Sequence, residues 1–306
     1  MAVKSIKFRN VVWHNVTELD RESLGWLKKH YKFHPLNVKD CQGDNEHPKI
    51  DYYRDYFFAV LHFPDINKAR NLVYGFEVDI FVGKDYLITV QKQKNKALNN
   101  IFYRLTTNKH ARQEYMQHGS GFLLYKITEK MYKQFVGATG HVYSRLSAIE
   151  KEIFENESTA TAPVKTLADI RRMVLKLRLV LDPQRIVVSS IQKAKYSFFS
   201  DELDLYFDDI RDFLEKMWSV LENQKDLITG IYETNESLVS QRTNRVIQIL
   251  TIFSVSMLPL TLFTGIYGMN IDLPGSHDPV YVWSFFGGLG IIILLVILYF
   301  KRKDLI

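Results

Sequence analysis

The chain has 306 residues, of which 46% are hydrophobic and 24% charged, and its formal net charge is +6. This length allows two domains or one large core, and Cys41, the only cysteine, excludes an intrachain disulfide. The small positive excess, without a stripe of lysine and arginine interleaved with aromatic residues, argues against nucleic-acid binding.

The N-terminal third predicts β-structure. Its β-branched and aromatic residues alternate in part with polar residues, which is typical of strands, and these segments are 3–16, 56–63, 76–82 and 85–91. A helix is predicted to begin at Asp20. The first residues lack the apolar core of a signal peptide, so we expect the large polar part to be cytosolic.

Beyond about Asn99 the pattern becomes helical. Helices are predicted at 97–107, 110–118, 120–156 and 163–196. Residues 1–200 are therefore expected to form a cytosolic α/β domain with a helical hairpin. We find no glycine-rich phosphate loop and no plausible pairing of nucleophile and base, so an enzyme has little support.

A single very long stalk helix is predicted over residues 201–268. Apolar residues recur there at spacings of three and four, and no proline intervenes between Pro183 and Pro259. At 1.5 Å per residue such a helix is roughly 100 Å long. A helix of this length needs partners, and the simplest partners are copies of itself around an axis.

Two segments are predicted to span a membrane. Residues 246–267 and 281–300 carry no charge, and the only charged residues between 246 and 300 are Asp272 and Asp278. The first segment reaches about 33 Å as a helix, enough for the hydrocarbon core of a bilayer. The first span carries scattered hydroxyl side chains, which suits a wet lining, whereas the second is more aliphatic and suits a position facing lipid.

Basic residues flank both spans on one side only: Arg242 and Arg245 precede the first, and Lys301, Arg302 and Lys303 follow the second. The outer loop, 268–280, has no lysine or arginine. The positive-inside rule then predicts a multi-pass protein of the cell membrane with both termini cytoplasmic. The basic tail, 301–306, would lie in the cytosol.

The stretch "YGMN" at 267–270 closes the first span and is followed by a short loop and a second span. With the upstream segment 240–270, and more loosely "HPL" at 34–36 followed by Asp40, the chain resembles the CorA family of magnesium and cobalt transport proteins. The resemblance implies a homopentameric funnel in which five first-span helices line a pore. It also implies that Mg²⁺ is both the transported ion and a regulatory ligand.

The resemblance assigns roles to individual residues. Gly268, Met269 and Asn270 would form the selectivity filter, with Asn270 holding the metal through its hydration water. Residues recurring every three to four positions on one helix face would line the pore: Thr261, Leu258, Ser254, Leu250, Ile247 and Asn244.

A regulatory metal site is implied as well. By register with the pore segment, Asp209 matches the family's metal-sensing acid, and Asp208 stands beside it. Asp65 is the candidate partner from the α/β domain. Cytosolic Mg²⁺ bridging such acids between subunits would close the channel.

The sequence leaves open which ion is transported, and it leaves open a second class of protein. After the filter it reads "IDLPGSHDPV", without the glutamate common in the family, so the transported ion stays open among Mg²⁺, Co²⁺, Ni²⁺ and Zn²⁺. One alternative is a Zn²⁺ transporter on the same scaffold. Another is a scaffold or sensor protein that its two spans merely tether to the membrane.

Overall fold

The structure, a computed structural model, describes residues 3–43, 47–67, 72–155, 161–192, 196, 198–199, 201–270 and 278–302. It divides into two compact units, Met1–Gly230 and Ile231–Ile306. Of the predicted outer loop (268–280) and tail (301–306), residues 271–277 and 303–306 lie outside the described residues.

A six-stranded sheet forms the centre of the first unit. Its strands are β1 Val3–Phe8, β2 Val11–Val16, β3 Lys49–Tyr52, β4 Tyr56–Asn67, β5 Leu72–Gly83 and β6 Tyr86–Gln91. The spatial order is β1-β2-β6-β5-β4-β3. Among the described strands, β2 and β6 run parallel and the other neighbours are antiparallel.

The predicted single strand at 3–16 is a hairpin. Arg9 has a φ of 51°, and it lies in a two-residue turn that pairs Phe8 with Val11. Left-handed backbone suits such tight hairpin turns, and a run of β-formers does not reveal it. Strand β3 and the short helix after residue 34 were also missed.

Helices cover both faces of the sheet, which is why the run from Phe57 to Leu61 in β4 is fully buried. On one face the core joins Leu27 and Cys41 to Phe58 and Phe81. On the other, Phe63 packs against Tyr132 with ring centroids 4.9 Å apart. Burial on both faces favours continuous apolar runs over strict alternation.

The helices described before the long one are α1 Arg21–His30, α2 Pro35–Asp40, α3 Lys96–Thr107, α4 Lys109–Met116, α5 Ser120–Tyr132, α6 Gln134–Glu155 and α7 Thr161–Gln192. The predicted start of α1 is confirmed, because the Asp20 carboxylate accepts a hydrogen bond from the Ser23 amide at 2.7 Å. The predicted helix 120–156 is two helices, α5 and α6, with a break at Lys133.

The long helix, α8, runs from Asp201 to Tyr267 without interruption. Its first part belongs to the first unit, where Phe207, Leu214 and Leu221 are fully buried. The Glu215 carboxylate accepts two hydrogen bonds from Arg185 of α7, at 2.8 and 2.7 Å. These contacts anchor the N-terminal end of α8.

The second unit contains the rest of α8 and α9, Pro279–Arg302. Phe263 is its buried contact point, since its ring stacks on Phe285 at 4.1 Å and meets Phe286 edge-on at 4.9 Å. Both helices are long and apolar enough to cross a membrane. The predicted fold class, an α/β domain with a long helix and two apolar helices near the C-terminus, is confirmed.

One acid is buried inside the sheet domain. Asp79 of β5 is fully buried, and neither of its carboxyl oxygens has a hydrogen-bond partner among the described residues. Glu77, two residues away on the same strand face, pairs with Lys92 at 2.5 Å. Burial first, and the Glu77 charge second, raise the pKa of Asp79 well above its ordinary value.

This burial predicts a pH dependence of stability. A carboxyl whose folded pKa is raised stabilises the fold most below its unfolded pKa, and that contribution is lost as pH rises toward the folded value. Asp79→Asn stays neutral at every pH, so it should remove this loss. Between pH 5 and pH 8 the wild-type Tm should fall by about 2–4 °C more than that of the variant. This difference corresponds to a loss of about 1 kcal/mol in the free energy of unfolding.

Thermal unfolding of the full chain in detergent at the two pH values measures this difference. Asp226→Asn is the control, because the Asp226 side chain is 74% exposed. It should keep the wild-type pH slope. Equal slopes for wild type and Asp79→Asn would contradict a raised pKa at Asp79.

Candidate functional site

The predicted pore-lining residues lie on the face of α8 that points away from α9. At about 100° per residue, Thr261, Leu258, Ser254, Leu250 and Ile247 fall about 140–220° around the helix from Phe263. All five are exposed, and the leucines at 250 and 258 are 62% and 64% exposed. Asn244, also exposed, falls about 260° from Phe263, at the edge of this face.

An open groove of ≈ 520 Å³ runs along this face in the second unit. Its lining includes Ser254, Leu258 and Thr261, and it extends past Gly265 to Met269. Hydroxyl-bearing and aliphatic positions therefore share one surface with the predicted filter. A surface this apolar is unusual for a helix in contact with water only.

The threonines of the span bond to their own helix. The Thr261 hydroxyl donates to the Met257 carbonyl at 3.0 Å, and that of Thr251 donates to the Ile247 carbonyl at 2.8 Å. Because the proton of each hydroxyl is used in this way, the remaining oxygen lone pairs are acceptors. At Thr261, which lies in the groove, such an acceptor suits the water shell of a cation.

The helix α8 ends immediately before the predicted filter. The Gly268 amide donates to the Thr264 carbonyl at 2.9 Å, and the Met269 amide to that of Ile266 at 3.2 Å. Met269 is 55% exposed and Asn270 is exposed as well. The end of α8 therefore presents both side chains to the surroundings.

Glycine at 268 has a steric reason. A Cβ there would lie 2.9 Å from the Thr264 carbonyl oxygen, a backbone atom that cannot rotate away. Gly268→Ala should therefore shift the turn, displace Asn270 and lower ion flux at least about tenfold, the result of a barrier higher by about 1.4 kcal/mol. Flux into proteoliposomes measures the effect.

Gly230→Ala is the matched control, since a Cβ at 230 meets no atom within 4 Å. It should preserve flux and stabilise α8 by about 0.5–1 kcal/mol. Normal flux through the Gly268→Ala protein would show that this close approach does not position Asn270.

The predicted regulatory acids lie at the start of α8. Asp208 is half-buried, accepts a hydrogen bond from the Gln192 amide at 2.9 Å and pairs with Arg211 at 2.7 Å. Asp209 is exposed and lies near α5. Burial first, then the charges of Glu129 and Asp209, raise the pKa of Tyr125 to about 12. Of the two acids, Asp209 is the more exposed.

Asp65 lies on β4 opposite Tyr74 of β5, and it is exposed. Among the residues that the structure describes, no three His, Cys, Asp or Glu side chains are grouped to hold a metal. One copy of the chain therefore does not unite Asp65, Asp208 and Asp209 into a complete site. Any metal at Asp209 needs ligands from elsewhere.

Sequence reasoning missed the buried acid of the first unit. Asp79 interrupts the apolar run "FEVDIFV" of β5, and a charge inside such a run was a readable signal. It also missed that Asp208 has a basic partner three residues along the helix, at Arg211. That spacing places two side chains on neighbouring turns of one face.

Comparison with known proteins places the chain. The family model described as "CorA-like Mg2+ transporter protein" matches residues 9–302. The chain is 29% identical over 272 residues to the putative metal ion transporter YfjQ of Bacillus subtilis. The aligned region covers 89% of this chain and 81% of that protein. It is 24% identical over 297 residues to the cobalt/magnesium transport protein CorA of Thermotoga maritima, at 95% and 82% coverage.

The fold agrees with this. The structure of the CorA magnesium transporter from Methanocaldococcus jannaschii superimposes with a TM-score of 0.83 at 18% identity, covering 98% of this chain and 94% of that one. Together with the family match over residues 9–302, this shared fold defines the class of the protein as a CorA-like transporter of divalent cations. The chain belongs to the CorA-like Mg²⁺ transporter family.

Proposed function

We propose that the chain assembles as a homopentamer and conducts hydrated Mg²⁺ into the cell, with Co²⁺ and Ni²⁺ as secondary ions. One observation carries the proposal: the exposed face of α8 opposite Phe263 combines hydroxyl and aliphatic side chains and ends at Gly268-Met269-Asn270. Copies of α8 around an axis would bury this face and enclose a conduit. The basic flanks of the spans support a cell-membrane protein with cytoplasmic termini.

Asn270 would select the ion through its hydration shell. Mg²⁺ dehydrates reluctantly and usually keeps several waters. A ring of carboxamides accepts hydrogen bonds from those waters without the deep electrostatic well of a carboxylate ring. The ion can then both enter and leave, as conduction requires. Thr261 would supply a second ring of acceptor oxygens further in.

Leu258, Leu250 and Ile247 would form the gate. Aliphatic rings at a narrow point exclude water and any ion whose hydration they cannot replace, so they close a pore by dewetting. The membrane potential would supply the driving force. A divalent ion moving inward through 100 mV gains about 4.6 kcal/mol, twice the value for one elementary charge.

Cytosolic Mg²⁺ would hold the gate closed from the domain end of α8. The exposed carboxylate of Asp209 supports this role, and the ligands missing within one chain would come from Asp65 of a neighbouring copy. Without the bridging ion, these acids repel one another and loosen the closed arrangement.

Asp209→Asn should therefore weaken inhibition by Mg²⁺ on the cytosolic side. Losing one charge-assisted contact of about 1.5–3 kcal/mol predicts a half-inhibitory concentration raised about tenfold or more. Flux in proteoliposomes, measured against internal Mg²⁺, tests this. Asp226→Asn is the control, because it removes the same charge from an exposed position of α8, 74% exposed, away from Arg211. Equal effects of the two substitutions would remove Asp209 from the sensor.

The identity of the transported ion is tested by measuring flux into proteoliposomes that contain the purified full chain. Mg²⁺, Co²⁺, Ni²⁺ and Zn²⁺ are compared at equal concentration with an inside-negative potential. Mg²⁺ uptake that exceeds that of the other ions supports the proposal. Uptake of Zn²⁺ without Mg²⁺ would favour a zinc transporter, and absence of any flux from correctly assembled protein would favour a membrane-tethered scaffold.

A further inference from the structure

An exposed aliphatic ridge runs along α7 in the first unit. Leu175, Leu179 and Ile186 are exposed, at 74% for Leu179 and 71% for Ile186. At about 100° per residue the three fall within about 40° of one another around the helix, and Asp182 lies in the same row. Leu177, on the opposite side of α7, is fully buried. These four exposed residues, the α7 ridge, are therefore turned away from the core of their own unit.

An apolar groove of ≈ 510 Å³ lies between α6 and α8 of the same unit. Its α6 wall includes Val136, Gly140 and Tyr143, and its α8 wall extends from Phe213 to Leu227. Val136 and Tyr143 are exposed. At 1.5 Å per residue, this α6–α8 groove is about 21 Å long and the α7 ridge is about 17 Å long. The two lengths are compatible with docking of a helix face in a groove.

Two residues of the α6–α8 groove are not explained by the contacts of one chain. A Cβ at Gly140 would meet no atom within 4 Å, although glycine weakens a helix interior and is typical of places where another backbone approaches closely. The buried Gln224 side chain donates from Nε2 to the Thr139 carbonyl at 2.8 Å, while its Oε1 has no partner among the described residues. Buried acceptors are normally paired. Both features are typical of a surface that another chain covers.

The charges of the ridge and the groove are complementary. Lys216 lines the groove, is exposed and has no ion-pair partner in the described part of the chain. Asp182 of the ridge pairs with Arg185 at 3.1 Å, but Arg185 also binds the Glu215 carboxylate. The exposed Asp182 can therefore accept a second cation. Contact between two ridges would bring equal charges together, whereas contact between ridge and groove brings opposite charges together.

The ridge and the groove lie on different faces of the unit. Arg178 and Arg185 of α7 form ion pairs with Glu222 and Glu215 of α8. These arginines fall about 60–120° around α7 from the leucines and the isoleucine of the ridge, so the ridge does not point toward α8. Contact between two different patches is heterologous, and heterologous contacts close into rings. A ring of five copies needs such a contact.

We propose that the α7 ridge of one copy docks in the α6–α8 groove of the next copy, with Asp182 beside Lys216. The inference rests on the proposed homopentamer and identifies the surfaces through which its cytosolic domains meet. Leu179 and Ile186 lose their exposure in this contact, and Gly140 allows the neighbouring helix to approach α6 closely.

Crosslinking of the full chain in detergent with a short bis-maleimide tests this inference. Leu179→Cys places a thiol on the ridge, and Tyr143→Cys places one in the groove. Protein carrying both should give a ladder of covalent multimers up to the size of the assembly. Either variant alone should stay monomeric on a denaturing gel, like the wild type, whose Cys41 is buried. Leu179→Cys combined with Tyr103→Cys, at an exposed residue of α3, is the matched control and should give no ladder.

Reversed charges test the orientation of the contact. In protein carrying Leu179→Cys and Tyr143→Cys, either Asp182→Lys or Lys216→Asp should slow crosslinking about fivefold, which is the upper range for an exposed ion pair. The two reversals together should restore the rate. A double reversal that crosslinks no faster than the single ones would overturn the pairing of Asp182 with Lys216 and with it the proposed docking.

The mass of the assembly separates failure of this inference from failure of the proposed function. Absence of a ladder from protein that light scattering shows to be pentameric would overturn the docking and leave the pentamer standing. A ladder or dimer from either single cysteine variant would indicate contact between like surfaces and would also overturn it. Wild-type protein of monomeric mass would overturn both the docking and the homopentamer. Thermal unfolding like that of the wild type checks that the cysteine variants are folded.

Discussion

Replacing Asn270 by alanine should lower Mg²⁺ flux by about two orders of magnitude while the assembly stays intact. Each carboxamide would accept hydrogen bonds from the water shell of the ion, and a hydrogen bond contributes about 1 kcal/mol net. Losing two or three such bonds at once raises the barrier for entry by about 2–3 kcal/mol, or about 30–150-fold in rate. Asn270 is exposed directly after the end of α8, so its removal leaves no cavity in a core.

Two controls make this result specific. Asn223→Ala removes an exposed asparagine from the same helix, in the first unit, and should leave flux unchanged. Size-exclusion chromatography with light scattering should give the same assembly mass for both variants and the wild type. Wild-type flux through Asn270→Ala protein of normal mass would show that Asn270 does not select the ion.

The fold was largely readable because its strongest signals are local. Two uncharged runs at one end of a charged chain predict two apolar helices, and the absence of proline from 184 to 258 predicts the continuity of α8. The structure has both features. Pro259 is accommodated inside α8, although proline removes a backbone donor and usually bends a helix.

The missed elements depend on features that periodicity does not carry. The hairpin between β1 and β2 needs left-handed backbone at Arg9, and the break at Lys133 separates two helices that are both rich in apolar residues. Strand β3 has only four residues and pairs only with β4. Its existence follows from its neighbour, and the four residues alone do not indicate it.

The candidate site, too, was readable from the sequence only where its residues follow a local pattern. Residues at spacings of three and four must share a face of α8, and the position of Phe263 against α9 shows which face is left open. The role of that face in conduction stays a prediction. The proposed regulatory acids were not readable in the same way, because a site that another copy completes would leave no spacing pattern within one chain.

Apolar residues of the open face are the second place where a single substitution should change transport strongly. Leu250→Ser should make the channel conduct when cytosolic Mg²⁺ would otherwise close it. In the proposed pentamer, five serines in place of five leucines would allow water to occupy the constriction. A drop of only about 1.4 kcal/mol in the barrier raises flux about tenfold. The Leu250 side chain is 62% exposed, so the substitution does not disturb packing within one subunit.

Ile249→Ser is the matched control for this substitution. Ile249 is 45% exposed, but it lies about 100° around α8 from Leu250, on the side nearer to Phe263. It should leave closed-state flux near the wild-type value. The measurement is Mg²⁺ flux into proteoliposomes loaded with high internal Mg²⁺. Because both substitutions place a hydroxyl in the same turn of the span, equal leakage would mean that general loosening of the membrane helices, and not wetting of a central constriction, opens the path.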